Sequence, residues 1–246
     1  MTARLVADIG NTRIKFGLCR PDELRPAAVP PVDEAAWGRQ LRAWAIEWPA
    51  EWAVAGVHPA RRDRLVAWLR GRGATVRVLA DHRDLPVRVD VEAPERVGID
   101  RLLNAVAVAA RVPAGTPAVV VDAGSAVTVD LVDGTGTFRG GAIFPGPRLM
   151  AAALRQHTAL LPLVEDFTTP NVPGRETVAA IRAGVFHAVC GGIDRLVELL
   201  TAGGRNARVF FAGGSTDLAS GLRCRPEVVG PALTLDGICR TAWPEL

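Results

Sequence analysis

The sequence predicts an α/β protein made of two related halves. Three observations carry that expectation. Leu5 to Leu18 is an apolar run ending in Asp8, a Gly-Asn-Thr corner, and a return stretch alternating apolar and basic, which reads as two strands joined by a tight turn. The same order recurs at Ala118 to Leu131, where Asp122 matches Asp8, Gly124 matches Gly10 and Ser125 matches Asn11. A repeat spaced by about half the chain marks a duplicated half-molecule rather than a short-period solenoid. Strand-like and helix-like stretches then alternate after each corner. The best linker by composition is Val112-Pro113-Ala114-Gly115-Thr116-Pro117, which divides the chain into residues 1–112 and 113–246.

After the first hairpin, Pro21 to Pro31 reads as a loop. Glu34 to Trp48 carries apolar residues at helical spacing, with Trp37, Trp44 and Trp48 near one face as core residues. Glu51 to Val57 is a short strand, Arg61 to Arg72 an amphipathic helix closed by Gly73, and Thr75 to Leu79 a further strand. Gly98 breaks the chain ahead of an apolar helix from Leu102 to Arg111. In the second half the repeated hairpin is followed by a Gly-rich turn at Asp133 to Gly136 and by a helix from Arg148 to Leu161. Glu176 to Leu200 is helical with an interruption near Gly191-Gly192. Val209 to Ser215 is a strand running into a Gly-Gly turn, Thr216 to Leu222 starts a helix, and Leu233 to Thr241 is a closing helix.

With 49% hydrophobic and 22% charged residues, the 246-residue chain can build sizeable cores. Its net charge is +3, but Arg residues are interspersed with acids, as in Arg61-Arg62-Asp63-Arg64, and tyrosine is absent. That is a solvated mixed surface, not a nucleic-acid interface. No apolar stretch approaches the length of a membrane span, and no secretory leader pattern opens the sequence. Cys19, Cys190, Cys224 and Cys239 form no C-x-x-C pair and are expected as buried reduced thiols in a cytoplasmic protein. His58, His82, His157 and His187 fall outside every Gly-rich corner, and no G-x-S-x-G elbow occurs, which argues against a Ser-His-Asp hydrolase. Clustered zinc ligands are missing as well.

The chemistry concentrates at the corners. Gly10 is expected to give the positive φ and close backbone approach that a turn around an anion needs. Lys15, the only lysine among 29 basic residues, supplies a compact point charge beside that turn. Two Gly corners, each with a carboxylate and polar donors, make a clamp for a polyphosphate and its metal. Asp100, in or just before the first helical turn, reads either as an N-cap or as a carboxylate general base with Arg101 as anion anchor.

Five motifs occur in order over essentially the whole chain. They are D-x-G-N-T-x-x-K at Asp8 to Lys15, G-x-D-R at Gly98 to Arg101, D-A-G-[ST]-A-x-T at Asp122 to Thr128, G-G-x-I-x-P-G at Gly140 to Gly146, and A-G-G at Ala212 to Gly214. Together they resemble the type III pantothenate kinases, of the acetate-kinase/sugar-kinase/Hsp70/actin superfamily. The resemblance implies two duplicated ribonuclease-H-like (actin-like ATPase) domains with an interdomain cleft, usually in a homodimer. It also implies ATP-dependent phosphorylation of pantothenate to 4'-phosphopantothenate, which opens coenzyme A biosynthesis.

By the same resemblance, Asp8, Ile9, Gly10, Asn11, Thr12, Arg13, Ile14 and Lys15 would hold the ATP phosphates with Mg2+. Ser125, Gly213 and Gly214 would contact ATP from the second half. Asp122 would coordinate a monovalent cation, K+ or NH4+. Gly98, Ile99, Asp100 and Arg101 would bind pantothenate, Asp100 taking the proton of its primary hydroxyl. Thr177 fits the family's T-x-x-A-I-x-x-G substrate contact. Two departures stand out. Ser125 replaces the usual Thr, and Val89-Asp90-Val91 occupies the place of a substrate-contacting Tyr. The second keeps open a kinase of the same fold for another small hydroxy acid, and a non-catalytic ATP-binding regulator stands as a further alternative of a different class.

Overall fold

The computed structural model describes every residue except Met1, Asp22, Gly204, Arg205 and Leu246. In chain order its first elements are β1 (Arg4–Ile9), β2 (Ile14–Arg20), β3 (Glu23–Val29), α1 (Glu34–Ala43), β4 (Glu51–Gly56), α2 (Pro59–Arg70), β5 (Thr75–Leu79) and α3 (Ile99–Ala109). There follow β6 (Ala118–Ala123), β7 (Ala126–Val132), β8 (Phe138–Pro145), α4 (Pro147–His157), α5 (Thr177–Leu200), β9 (Arg208–Gly213), β10 (Glu227–Gly230) and α6 (Leu233–Ala242). Contacts divide the chain into one unit of Met1–Arg111 with Ala232–Leu246 and a second of Val112–Pro231.

In the first unit β1 is apolar on both faces because both are covered, and Leu5 to Ile9 are all buried. It is the middle strand of the order β3-β2-β1-β4-β5, antiparallel to β2 and parallel to β4. Leu5, Ala7 and Ile9 join Phe16, Trp37, Trp52, Leu65 and Leu69 in one core. Edge-to-face ring pairs lock it, Phe16 on Trp52 at 5.2 Å and Trp37 on Trp68 at 5.4 Å. The opposite face carries Val6 and Gly17. A Cβ built on Gly17 would lie 2.7 Å from Val6 Cγ2 and 3.4 Å from Leu235 Cδ1, so α6 lies over this face. Helices α3 and α6 cross closely: a Cβ on Gly237 would fall 2.0 Å from the Leu103 carbonyl oxygen. The buried Thr234 hydroxyl donates to Asn104 Oδ1 at 2.9 Å in the same crossing.

The second unit repeats the plan. Its sheet runs β8-β7-β6-β9-β10, with β6 antiparallel to β7 and parallel to β9, the counterpart of β3-β2-β1-β4-β5 strand for strand. Val119, Val121, Ala123, Val127 and Val129 pack against Phe186, Val189, Ile193 and Val197 of α5. Two mixed five-stranded sheets of one topology, each with helices, are a pair of ribonuclease-H-like domains.

Several sequence expectations change. Residues 23–29, read as loop, form β3, because Pro26 is tolerated on an edge strand. Helix α5 runs unbroken through Gly191-Gly192, with Gly192 against the Phe144 ring. Residues 216–221 are a 3-10 turn, and β10 follows at a place the sequence left blank. Trp48 lies beyond α1 and is 38% exposed, outside the core. The closing helix, placed by sequence in the second half, packs in the first unit because its apolar face meets α3 and β1.

Candidate active site

Asp8 is the penultimate residue of β1, just before the core residue Ile9, and Lys15 stands directly opposite it in the register. Their side chains therefore share one face of the sheet. Lys15 Nζ lies 3.6 Å from Asp8 Oδ2, and Asp8 is 6% exposed. Ile9 and Ile14 pair across the hairpin and are fully buried, so only their main chains can face a ligand. The corner itself is Gly10 to Arg13, closed by a 3.1 Å bond from Gly10 N–H to the Arg13 carbonyl. Asn11, Thr12 and Arg13 are exposed. Gly10 is not in the left-handed region, contrary to expectation. The constraint there is space, since a Cβ would sit 3.2 Å from Arg13 O.

Gly98 is the residue before α3, with φ −55°, and Asp100 and Arg101 occupy the first turn. Asp100 Oδ1 accepts the Arg101 N–H at 2.8 Å. A Cβ on Gly98 would fall 2.6 Å from that same oxygen, so the glycine makes room for the carboxylate. Gly98 itself holds the cap position, so Asp100 lies inside the first turn and is not the N-cap. The segment belongs to the first unit, as does the Asp8 corner.

In the second unit, Ser125, Gly213 and Gly214 come together. Asp122 pairs with Ala212 on β9 and with Thr128 on β7. Gly214 and Ser215 N–H both donate to Ala123 O at 3.1 Å, while Gly146 N–H donates to Ser125 O at 2.9 Å. Gly213 has φ +98°, and a Cβ on it would strike the Ala123 backbone at 2.4 Å. By contrast, a Cβ on Gly214 would meet nothing, which leaves open space beside the corner. Thr128 Oγ1 is buried with no hydrogen-bond partner among the described residues.

Thr177 opens α5 behind a capping Glu176, whose carboxylate accepts from Val178 N–H at 2.9 Å and Ala179 N–H at 2.5 Å. Thr177, Ala180, Ile181 and Gly184 line one side of a cavity of about 840 Å³ between α4 and α5. The spacing i, i+3, i+4, i+7 puts the whole T-x-x-A-I-x-x-G motif on one helical face. Leu149, Met150 and Leu154 line the other side, and Pro145 at its rim adjoins the Gly146 that supports the second corner.

A family model described as type III pantothenate kinase matches residues 4–199. A type III pantothenate kinase of Alkalilimnicola ehrlichii is 33% identical over 97% of this chain and 97% of its own length. The chain belongs to this family. A second type III pantothenate kinase, from Rhodopirellula baltica, is 43% identical, but the match spans 60% of this chain and 55% of the relative. Among solved structures, a putative 2-dehydro-3-deoxygalactonokinase of Sinorhizobium meliloti superposes at TM-score 0.62 and 14% identity, covering 98% of this chain and 99% of that one. A putative Baf family transcriptional activator of Campylobacter jejuni gives TM-score 0.60 at 19% identity, covering 98% of this chain and 100% of that one. These two likenesses concern the fold.

The structure adds residues to this type III pantothenate kinase family member that motif spacing did not single out. Arg61 of α2 donates from Nη1 to the Asn11 carbonyl and so ties the first corner to a helix. A Cβ on Gly56, at the end of β4, would lie 2.5 Å from Ile9 O beside that corner. A glycine at the end of a strand was the available signal for Gly56. Gly146, the last residue of the G-G-x-I-x-P-G motif, is likewise held by space, since a Cβ on it would lie 2.3 Å from Gly124 O. Nothing local marks Arg61, which is fifty residues from its partner.

Proposed function

We propose that this chain transfers the γ-phosphoryl group of ATP to the primary hydroxyl of pantothenate, giving 4'-phosphopantothenate at the entry to coenzyme A biosynthesis. The observation that carries this reading is the match, nearly end to end, to a relative named type III pantothenate kinase. The site geometry supports it. Phosphoryl transfer asks for positioning and charge neutralisation more than covalent chemistry.

In the first unit, the exposed corner residues Asn11, Thr12 and Arg13 and the Lys15 ammonium bind phosphate oxygens, with Asp8 orienting Lys15. Asp100 takes the proton of the attacking hydroxyl, and Arg101 holds the substrate carboxylate. In the second unit, Ser125, Gly213 and Gly214 receive the nucleotide, and Thr177 contacts pantothenate at the edge of the α4–α5 cavity.

Mg2+ and a monovalent cation, K+ or NH4+, supply neutralisation of phosphate charge when bound. The donor set fits them. Asp8 offers a single hard carboxylate of the kind Mg2+ uses alongside phosphate oxygens, and no group of three or more His, Cys, Asp or Glu converges among the described residues. Asp122 and the orphaned Thr128 hydroxyl, opposite each other on β6 and β7, fit the monovalent ion. We place the protein in the cytoplasm as a homodimer. Exposed Leu149 and the open apolar cavity support an association surface, and no helix among the described residues is long and apolar enough to cross a membrane.

Turnover with ATP and pantothenate in potassium buffer tests the reading. The Asp100→Asn variant should lose a factor of about 10² to 10⁴ in kcat while still binding ATP. Unchanged kcat would remove Asp100 from the base role. The absence of tyrosine favours one other reading, a different hydroxy acid as acceptor. Preference for another alcohol-bearing acid in an ADP-release screen would select it.

A further inference from the structure

Cys19 of β2 and Cys239 of α6 come from the two separate segments that build the first unit, and all of Val112–Pro231 intervenes between them. Contacts at two levels lay α6 and the residues just after it along β2 and its neighbour β1. Gly17 lies beneath Leu235. Arg4, the register partner of Cys19, reaches the end of the helix, its guanidinium 5.6 Å from the Trp243 ring and its Nη1 2.7 Å from Glu245 Oε1. From Gly17, two residues along the strand advance about 7 Å to Cys19. From Leu235, four residues along the helix advance about 6 Å to Cys239. The steps match, so Cys19 and Cys239 come to the same level of the seam, where each thiol shifts the ionisation of the other. Both residues are buried, at 6% and 9% exposure.

The pair is also chemically unequal. The neighbouring Cys239 and burial push the Cys19 thiol far above its ordinary range. The neighbouring Cys19 lowers Cys239, with Arg240 and Arg4 adding to the effect and burial and Asp236 opposing it. Cys239 is therefore the better nucleophile. The remaining two thiols are held inert: burial raises Cys190 to about 11, and burial with Asp194 raises Cys224 to about 12.

We propose that Cys19 and Cys239 are a dithiol–disulfide pair whose oxidation bolts the returning segment 232–246 to the sheet that carries the Asp8 corner. The oxidant is a hydroperoxide. The Cys239 thiolate attacks one peroxide oxygen and becomes a sulfenic acid, releasing water from hydrogen peroxide. Cys19 sulfur then displaces the sulfenic oxygen as a second water, and the S–S bond forms. Two thiols and one H2O2 give one disulfide and two H2O. The bond would close a loop containing the whole second unit, so its effect on stability should be large.

The test treats the folded full chain with stoichiometric hydrogen peroxide and follows thiol titre, intact mass, peptide linkage and thermal unfolding. Expected are loss of two of the four thiols, a mass lower by about 2 Da, and a Cys19–Cys239 linked peptide in a non-reducing digest. The unfolding midpoint should rise by roughly 5 °C or more and return with dithiothreitol. A Cys190→Ala/Cys224→Ala variant should behave identically, and Cys19→Ala should show no oxidant-dependent shift in its own midpoint. Four titratable thiols after treatment, a Cys190–Cys224 link, or oxygen added at Cys239 without a cross-link would each overturn the proposal.

Discussion

Arg61 reaches from α2 to the Asn11 carbonyl, so one guanidinium fixes the exposed tip of the first corner. A charge-assisted bond of this kind contributes about 1.5–3 kcal/mol. Arg61→Ala should therefore raise KM for ATP by roughly tenfold, with kcat little changed and with Arg61→Lys partly restoring it, as steady-state kinetics would show. Thiol ionisation gives a second expectation. Cys190 and Cys224 are raised to about 11 and about 12, so the fold keeps them protonated where an unfolded thiol near 9 would begin to ionise. The stability they contribute is fully present below pH 9 and is lost as pH rises towards 11 and 12. Alkylation at pH 8 should spare both in the folded protein and label both in denaturant. At this scale the sequence was informative where chemistry recurs locally. Asp8 with Lys15 and Asp122 with Ser125 stand out in the chain itself, whereas Arg61 and the meeting of Cys19 with Cys239 depend on long-range register.

Helix α6 shows what a single element carries. It has a Gly in mid-helix because the Leu103 carbonyl lies where a side chain would be, 2.0 Å from a Cβ on Gly237. Gly237→Ala should cost about 1–3 kcal/mol through overpacking, despite the better helix propensity of alanine. A fall in the thermal midpoint of roughly 2–4 °C per kcal/mol would register it. Propensity misleads elsewhere for the same reason. Pro26 makes residues 23–29 look like loop, yet an edge strand has one side that needs no donor. Gly191 and Gly192 look like a break, yet packing of Val189, Ile193 and Val197 into the β6–β7 face carries α5 straight through. Gly184 in the same helix has nothing within 4 Å of its Cβ position, and that emptiness keeps the wall of the α4–α5 cavity open.

For the molecule as a whole, the duplicated topology was legible because two hairpins with the same Asp-x-Gly order lie half a chain apart. The membership of the closing helix in the first unit was not, since nothing local in Leu233 to Ala242 says which sheet its apolar face will meet. Deleting Ala232–Leu246 should expose Val6 and Leu103 in the first unit and leave the β6–β10 sheet intact. Limited proteolysis with mass mapping should then show rapid cleavage within residues 1–111 and protection of 112–231.

Because the first unit needs a segment that follows the second, the order of synthesis and the order of completion are reversed. On a ribosome, strands β1 to β5 emerge early yet wait for α6, while Val112–Pro231 has all of its parts and can fold in the interval. Until those last helical turns leave the exit tunnel, the nascent face around Val6 has no cover. A chain cut short before Leu233 would thus harm the part made first.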